Sequence, residues 1–526
     1  MNDSREQYTL ANGRTSINAL PKVSLHDHLD GGLRPATILE LADSIGFEVP
    51  ASDAASLGEW FEDSADSGSL VDYLATFDIT VGVMQTTEGL TRVAREFVQD
   101  LAADGVVYGE VRWAPEQHVA KGLTLDQTVE AVQQGIEQGI DDARGEGKTL
   151  RVGQLVTAMR HADRGLEIAE LAVRHRERGV VGFDIAGAEL GFPAGNQRAA
   201  FDYLAQNFLP VTVHAGEADG LDSIRGALFD GRALRLGHGV RLAEDIRIES
   251  SDDENTFVSI GGLAQWVKDR EIALELSPSS NLQTGAIAAW GDDLQDHPFD
   301  LLYQLGFTVT VNTDNRLMSN TSLSRELSLL SDAFGYDLED FEVFQLNAAN
   351  ASFLPLDERQ DLADTIIAGF QSAKPMRLHE LPDDVFVLGA HAPDWRSAVR
   401  IAGDALVAGG VTTDAYAERM VQVVEEFGAY IVIAPGLALA HARPGPDVLH
   451  DGLAVVTLDE PVVFGHPHND PVEVVLALAV TSNEGHVTVL AELANVFNDP
   501  MATTAIAQAT TVEAVRAVLG RAQPEA

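Results

Sequence analysis

Between Lys22 and about Asn315, eight short runs rich in β-branched residues alternate with helix-like stretches. They are "KVSLHDH", "VVYGEVRW", "RVGQLVTA", "VVGFDIAG", "PVTVHAG", "ALRLGHG", "IALELSP" and "FTVTVNTD". Most are separated by segments such as "TLDQTVEAVQQGIEQGIDDAR", whose apolar residues recur at helical spacing. Strands that alternate with helices make a parallel sheet, and eight such units can close into a barrel. The pattern therefore predicts an α/β fold class: a (β/α)8 TIM-type barrel. Arg112, Asp184, His28, His214, His238, Ser277 and Asp314 fall at or near the C-terminal ends of the runs. Barrel enzymes build their active sites on that face.

The chain has 526 residues, more than the barrel pattern uses. Residues from about 35 to 105 carry helical patterns expected to cap the barrel mouth, and residues from about 322 to 371 read as closing helices. At "SAKPMRLHELPDD" the pattern breaks on two prolines and mixed charge. A new amphipathic helix opens at "PDWRSAVRIAGDALVAGG", with Trp395, Val399, Ala402 and Leu406 on one stripe and Gly409 at its end. The expected organisation is a barrel over 1–371, a linker over 372–385 and a separate, smaller α/β domain over 386–526.

A formal net charge of −46 repels phosphate backbones and anionic headgroups, which argues against nucleic acid or membrane as a partner. There is no cysteine, so disulfides, thiolate nucleophiles and cysteine-based zinc sites are excluded. "MNDSREQYTL" lacks the basic and apolar regions of a signal peptide, and no apolar run approaches the ~20 residues of a membrane span. The expected location is the cytoplasm.

Any metal must then be held by His, Asp or Glu. His26 and His28 lie two apart on the first run, so both point into the lumen. They are either two core histidines, each with its own partner, or ligands of a shared cation. "TVHAGE" adds His214 and Glu217, and "NTDN" adds Asp314 on the last run, beside the first in a closed barrel. Three His and one Asp suit zinc with an open position for water, whose pKa zinc lowers towards ~7. Glu217 is either an acid–base group or a carboxylate at a helix start. His238, between two glycines in "LGHGV", is either a loop histidine or a second-sphere base that orients the water.

With "HDHLDG", "FDIAGAE", "VHAGE", "LGHG", "SPSSN" and "NTDN" in this order, residues from about 17 to 370 resemble the adenosine deaminase family of the amidohydrolase superfamily. The resemblance implies one zinc ion held by His26, His28, His214 and Asp314. It implies that Glu217 protonates purine N1 and that His238 and Asp314 orient the attacking water. Substrate contacts are implied at His28, Asp30 (ribose), Gly187 (a backbone contact to the purine) and Asn315. Related adenine deaminases usually have Glu at the Asp30 position, so Asp implies a nucleoside, adenosine or 2'-deoxyadenosine. Many members have Asp where this chain has Asn315; the Asn amide can donate to purine N7 without first being protonated.

In "YIVIAPGLALAHARP", His441 ends an apolar run with Arg443 two residues on. Taken alone, it is a strand-end histidine or one that takes a phosphoryl group balanced by arginine. Residues from about 390 to 520 resemble the IIA domain of sugar phosphotransferase systems of the fructose–mannitol–ascorbate type. The motifs are "DWRSAVRIAGDALVAGGVTTDAYAERM", "YIVIAPGLALAHARP", "PVVFGHPHNDPVEVVLALA" and "NEGHVTVLAELANVF". This implies His441 as phosphoacceptor, His486 and Arg443 as its neighbours, the phosphocarrier HPr as donor and a IIB domain as acceptor. Ala440 departs from the family's usual Pro. The alternatives are a deaminase of adenine or of a modified purine nucleoside, and a IIA-like domain that serves only as a phosphorylation-dependent regulator.

Overall fold

The eight runs form strands whose parallel register closes a barrel. In the computed structural model, which describes residues 7–10, 15–251, 256–374, 378, 381–481, 489–490 and 493–520, β1 (Lys22–His28), β2 (Val106–Trp113), β3 (Arg151–Met159) and β4 (Val180–Ala186) pair in that order, all parallel. β5 (Thr212–Ala215) and β6 (Arg235–His238) are followed by an antiparallel hairpin, β7 (Ile246–Ser251) and β8 (Thr256–Ile260). β9 (Ala273–Leu276) and β10 (Val309–Val311) complete a second parallel set in the order β10-β9-β6-β5. Parallel bridges Phe183↔Val211 and Asp27↔Asp314 join the two sets at both seams.

The hairpin was not among the expected elements. It stands outside the barrel and leaves Ile248 and Phe257 exposed, so its strands have the half-solvated alternation of an antiparallel pair and not the buried runs of the barrel. Barrel strands are buried almost throughout; in β1 only His28 is not fully so. Their lumen holds charge as well as apolar side chains. Arg235 contacts Glu110 at 2.5 Å and Glu275 at 2.6 Å, and Arg112 contacts Glu275 at 2.7 Å and Asp184 at 3.1 Å, all buried. Each charge has a partner, the condition under which buried ions are tolerated.

The expected capping region forms helices Pro35–Ile45, Ala54–Ala65, Leu70–Leu74, Phe77–Val83 and Thr87–Ala103. The closing region forms Leu323–Phe334, Leu338–Ala351 and Leu356–Ala373. These belong to one compact unit, Met1–Gln371; Ser372–Ala526 is a second.

The second unit is built on a five-stranded mixed sheet in the order β11-β14-β15-β13-β12. Its strands are β11 (Phe386–Ala390), β12 (Val432–Ala434), β13 (Leu437–His441), β14 (Gly452–Val462) and β15 (Val472–Ala479). Helix Trp395–Ala408 packs Val399, Ala402 and Leu406 into the core, as their spacing requires; Trp395 is only partly buried against it. Leu381 and Val385, within the stretch expected as a linker, also enter this core. Among the described residues, no helix is long and apolar enough to cross a membrane.

Candidate active site

The barrel brings His26, His28, His214, His238 and Asp314 to one place at the C-terminal ends of its strands. His26 Nε2 and His28 Nε2 lie 3.2 and 3.3 Å from Asp314 Oδ1, and His28 Nε2 lies 3.2 Å from His214 Nε2. His26, His214, His238 and Asp314 each offer a ligand atom within 4.8 Å of the others. His238 and Asp314 both hold left-handed backbone, φ 63° and 55°, a region that residues with side chains adopt rarely.

The outer partners of the histidines decide which nitrogens face inward. His26 Nδ1 lies 3.0 Å from Glu275 Oε2 and His214 Nδ1 lies 2.9 Å from Asp184 Oδ2. A carboxylate only accepts, so both Nδ1 atoms carry hydrogen in the neutral rings and both Nε2 atoms present lone pairs. The Nε2 atoms of His26 and His28 lie against the Asp314 carboxylate, and that of His214 lies against His28 Nε2. Burial pushes the Asp314 carboxyl up, but hydrogen bonds from His26 and His28 outweigh it and hold the group well below the usual carboxylate range. Burial first, with the charges of His26 and Arg112 adding to it, takes His214 down to about 4 against the pull of Asp184. Imidazole nitrogens gathered around a carboxylate held in its ionised form are a donor set that fits a divalent cation such as zinc.

His238 is oriented from behind by a chain of hydrogen bonds. The Phe299 backbone N–H donates to His297 Nδ1 at 3.0 Å. Burial lowers the His297 pKa to about 3, so the ring is neutral and its hydrogen sits on Nε2. That Nε2–H reaches Asn281 Oδ1 at 3.2 Å, so the Asn281 amide donates to His238 Nδ1 at 3.0 Å. Neutral His238 must then carry its hydrogen on Nε2, which faces Glu217 Oε2 at 3.5 Å. Burial, and then the charge of His26, holds His238 well below the usual histidine range. Glu217 moves the other way: burial first, then Asp314 and Glu189, raise its carboxyl well above the usual range. A carboxyl pushed towards its protonated form and an imidazole pushed towards its neutral form thus face each other beside the donor cluster.

The cavity over this cluster encloses about 320 Å³, at the small end of ligand pockets (~300–1,000 Å³). Leu70, Tyr73, Leu74 and Phe77 from the capping helices cover it, and Trp113 lies in its wall. Asp30 and Asn315 line it as well; Asp30 is buried, and its Oδ1 makes no hydrogen bond to the described residues. Gly187 lines the wall with φ 95°, and a Cβ there would lie 2.9 Å from Met159 Cε, so only glycine brings backbone to this surface.

In the second unit, His441 ends β13 and is half-buried. Its Nδ1 lies 3.1 Å from the Leu439 carbonyl, which places hydrogen on Nδ1 and the ring lone pair on Nε2. Tyr416 pins this strand end: its hydroxyl donates to the Leu478 carbonyl at 2.7 Å and accepts from the Ala442 N–H at 3.1 Å. Arg443 is exposed beyond it. His486 lies outside the described residues.

Sequence reasoning missed Glu275, Asn281, His297 and Tyr73. Glu275 sits in the apolar run "IALELSP", where a lone carboxylate is a signal that it needs a cationic partner. Asn281 ends the quoted motif "SPSSN", which did not reveal its role; His297 and Tyr73 have no periodic or spacing signature, and only the fold brings them to the site.

Comparison with known proteins fits this geometry. Residues 21–369 match the family model "Adenosine deaminase". Residues 381–522 match the model "Phosphoenolpyruvate-dependent sugar phosphotransferase system, EIIA 2". Adenosine deaminase 1 of Streptomyces coelicolor is 56% identical over 352 residues, which cover 67% of this chain and 87% of the relative. The N6-mAMP deaminase of Arabidopsis is 28% identical with a TM-score of 0.56, covering 67% of this chain and 99% of that one. An amidohydrolase of Burkholderia ambifaria, solved with bound zinc, is 21% identical with a TM-score of 0.58, covering 68% and 92%; it shares the fold.

Proposed function

Because the chain belongs to the adenosine deaminase family and carries an EIIA 2 domain at its C-terminal end, we propose that it hydrolyses adenosine and 2'-deoxyadenosine to inosines and ammonia, in the cytoplasm, with a phosphoryl-carrying histidine in the second domain. The observation that carries the barrel reading is the opposed pair beside the donor cluster: the Glu217 carboxyl, pushed up, and the His238 imidazole, pushed down, 3.5 Å apart. Two groups whose environments push them to opposite protonation preferences mark an acid–base assignment.

His26, His28, His214 and Asp314 would hold one zinc ion, which when bound supplies the Lewis acidity that makes water nucleophilic near neutral pH. Glu217 gives its proton to purine N1, which makes ring carbon six electrophilic. The His238 Nε2–H holds the attacking oxygen in place, and Asp314 accepts its proton. Nucleophile and leaving amine then share one tetrahedral carbon; Asp314 returns its proton to the amine, which departs as ammonia, and the hydroxyl proton of the adduct passes to Glu217 as the carbonyl forms. Fixed donors aimed at the charge that develops stabilise that adduct. The Gly187 backbone and the Asn315 amide read the purine edge. Asp30, a buried acceptor without a protein donor at Oδ1, takes a ribose hydroxyl. Leu70, Leu74 and Phe77 exclude bulk water, which strengthens each of these interactions. Asp30 and Asp78 both line the pocket and repel a phosphate, so a nucleoside suits it better than a nucleotide.

In the second domain, His441 Nε2 takes the phosphoryl group from HPr and passes it to a IIB domain, with Arg443 and His486 as neighbours that balance its charge. Residues 1–371 and 386–526 act as the two functional domains.

A substrate panel tests the reading: adenosine, 2'-deoxyadenosine, adenine and an N6-methylated nucleotide, with ammonia release as readout. The nucleosides turn over at least tenfold faster in kcat/KM than the other two. Preference for adenine or for the modified nucleotide overturns the nucleoside assignment.

A further inference from the structure

The motif "FDIAGAE" contains a carboxylate, Glu189, whose charge helps to hold the Glu217 carboxyl up but to which the mechanism above gives no place of its own. Glu189 is buried, two residues beyond Gly187 in the turn after β4. Its side chain meets the turn after β5. Glu189 Oε1 accepts from the Gly216 N–H at 2.7 Å, and Oε2 accepts from the N–H groups of Glu217, Ala218 and Asp219 at 3.1, 2.6 and 3.0 Å. Four consecutive amides thus converge on one carboxylate.

Consecutive N–H groups that point one way form an anion-binding concavity, and here the chain fills it with its own side chain. The turn has little freedom left. Gly216 holds φ 76°, and a Cβ there would lie 2.6 Å from Ile224. Arg160, also buried, closes the other side, with one guanidinium N–H donated to the His214 carbonyl at 3.1 Å. The backbone of Glu217 is therefore held through its own N–H and those of its neighbours.

We propose that Glu189 is a positioning residue. It ties the turn that carries Gly187 to the turn that carries Glu217, and so fixes the spacing between two groups that address one purine. This rests on the reading of the barrel as an adenosine deaminase. A carboxylate needed only to satisfy buried amides would support the fold and leave that spacing to the substrate. A misplacement of about 1 Å in a reacting group can cost about a hundredfold in rate. Loss of the tie should therefore be read in turnover.

The test compares the full chain with Glu189→Gln and Glu189→Asp. Gln keeps the size but turns an NH2 group towards backbone donors. Asp keeps the acceptors on a shorter stem. For Glu189→Gln, kcat for adenosine falls about 10- to 100-fold, KM moves less than about threefold, and metal per chain matches the parent; Glu189→Asp recovers part of kcat. A kcat within twofold of the parent, or a loss that tracks loss of metal, overturns the proposal. Amide exchange in the unaltered protein gives a reading that does not depend on a folded variant or on turnover. The 216–219 amides should exchange at least about a hundredfold more slowly than exposed loop amides, and exchange at loop rates overturns the tie. An unaltered protein that does not turn over adenosine would refute the functional reading while the exchange result still decides the tie.

Discussion

Replacing Glu217 by Gln isolates proton donation from everything else at the site. The carboxyl is buried, 4% exposed, and Oε1 makes no hydrogen bond to the described residues, so its hydrogen is available to a substrate nitrogen. Gln has the same shape and can still donate an N–H, so substrate binding survives, but it cannot transfer a proton. General acid catalysis contributes about 10²–10⁴-fold, or about 2.7–5.4 kcal/mol at 1.36 kcal/mol per tenfold. We expect kcat to fall by that factor, KM to change less than about fivefold, and metal content to stay at the parent value. Stability supplies an independent sign. Burial and the charges of Asp314 and Glu189 raise the folded carboxyl well above its ordinary value of 4.5. The folded state therefore binds more protons than the unfolded state above about 4.5, and stability falls as pH rises from there through the raised value. Glu217→Gln removes that dependence and makes the protein as stable as the parent or more so at neutral pH. The assay is ammonia release at saturating adenosine, with denaturant unfolding at several pH values. A kcat within tenfold of the parent, or a variant less stable than the parent at neutral pH, refutes the reasoning.

Glu275→Gln removes the charge that Arg112, Arg235 and His26 share, yet Arg112 keeps Asp184 and Arg235 keeps Glu110. The loss in unfolding free energy should lie near the lower end of the ~3–5 kcal/mol for a broken buried pair. Metal affinity, measured by competition with a chelator, should fall about 10- to 100-fold because His26 loses its outer partner. Asn281→Leu breaks the chain behind His238 and should lower kcat about tenfold or more with metal retained; unchanged kcat would show that the imidazole needs no such support. His441→Ala should abolish phosphoryl labelling by phosphorylated HPr while adenosine turnover stays within twofold; labelling that persists would assign the acceptor to another residue.

Much of the barrel was legible because its signal is periodic. A parallel strand buried on both faces reads as a β-branched run, and all eight runs became strands. The residues at their ends were legible because polar groups that close an apolar run are costly without a purpose; His26, His28, His214 and Asp314 lie near one another, with His238 also within reach of the same point. The β7–β8 hairpin was missed because short, half-exposed strands carry a weak pattern. Asn281 and His297 were missed for a different reason. Their function is to fix a tautomer, and that depends on a hydrogen-bond chain that starts at a single backbone N–H of Phe299. Nothing in residue type or spacing announces such a chain. Glu189 lay inside a quoted motif, but its role depends on four amides from another turn.

The central claim is that the His26, His28, His214 and Asp314 cluster is a zinc site serving deamination. The most direct measurement strips the full chain of metal with a chelator, follows inosine and ammonia formation from adenosine, and titrates zinc back. Turnover should vanish in the metal-free protein and return in proportion to zinc up to one ion per chain, with Asp314→Ala giving neither binding nor recovery. Full turnover by the metal-free protein, or recovery that ignores the Asp314 substitution, would contradict the account.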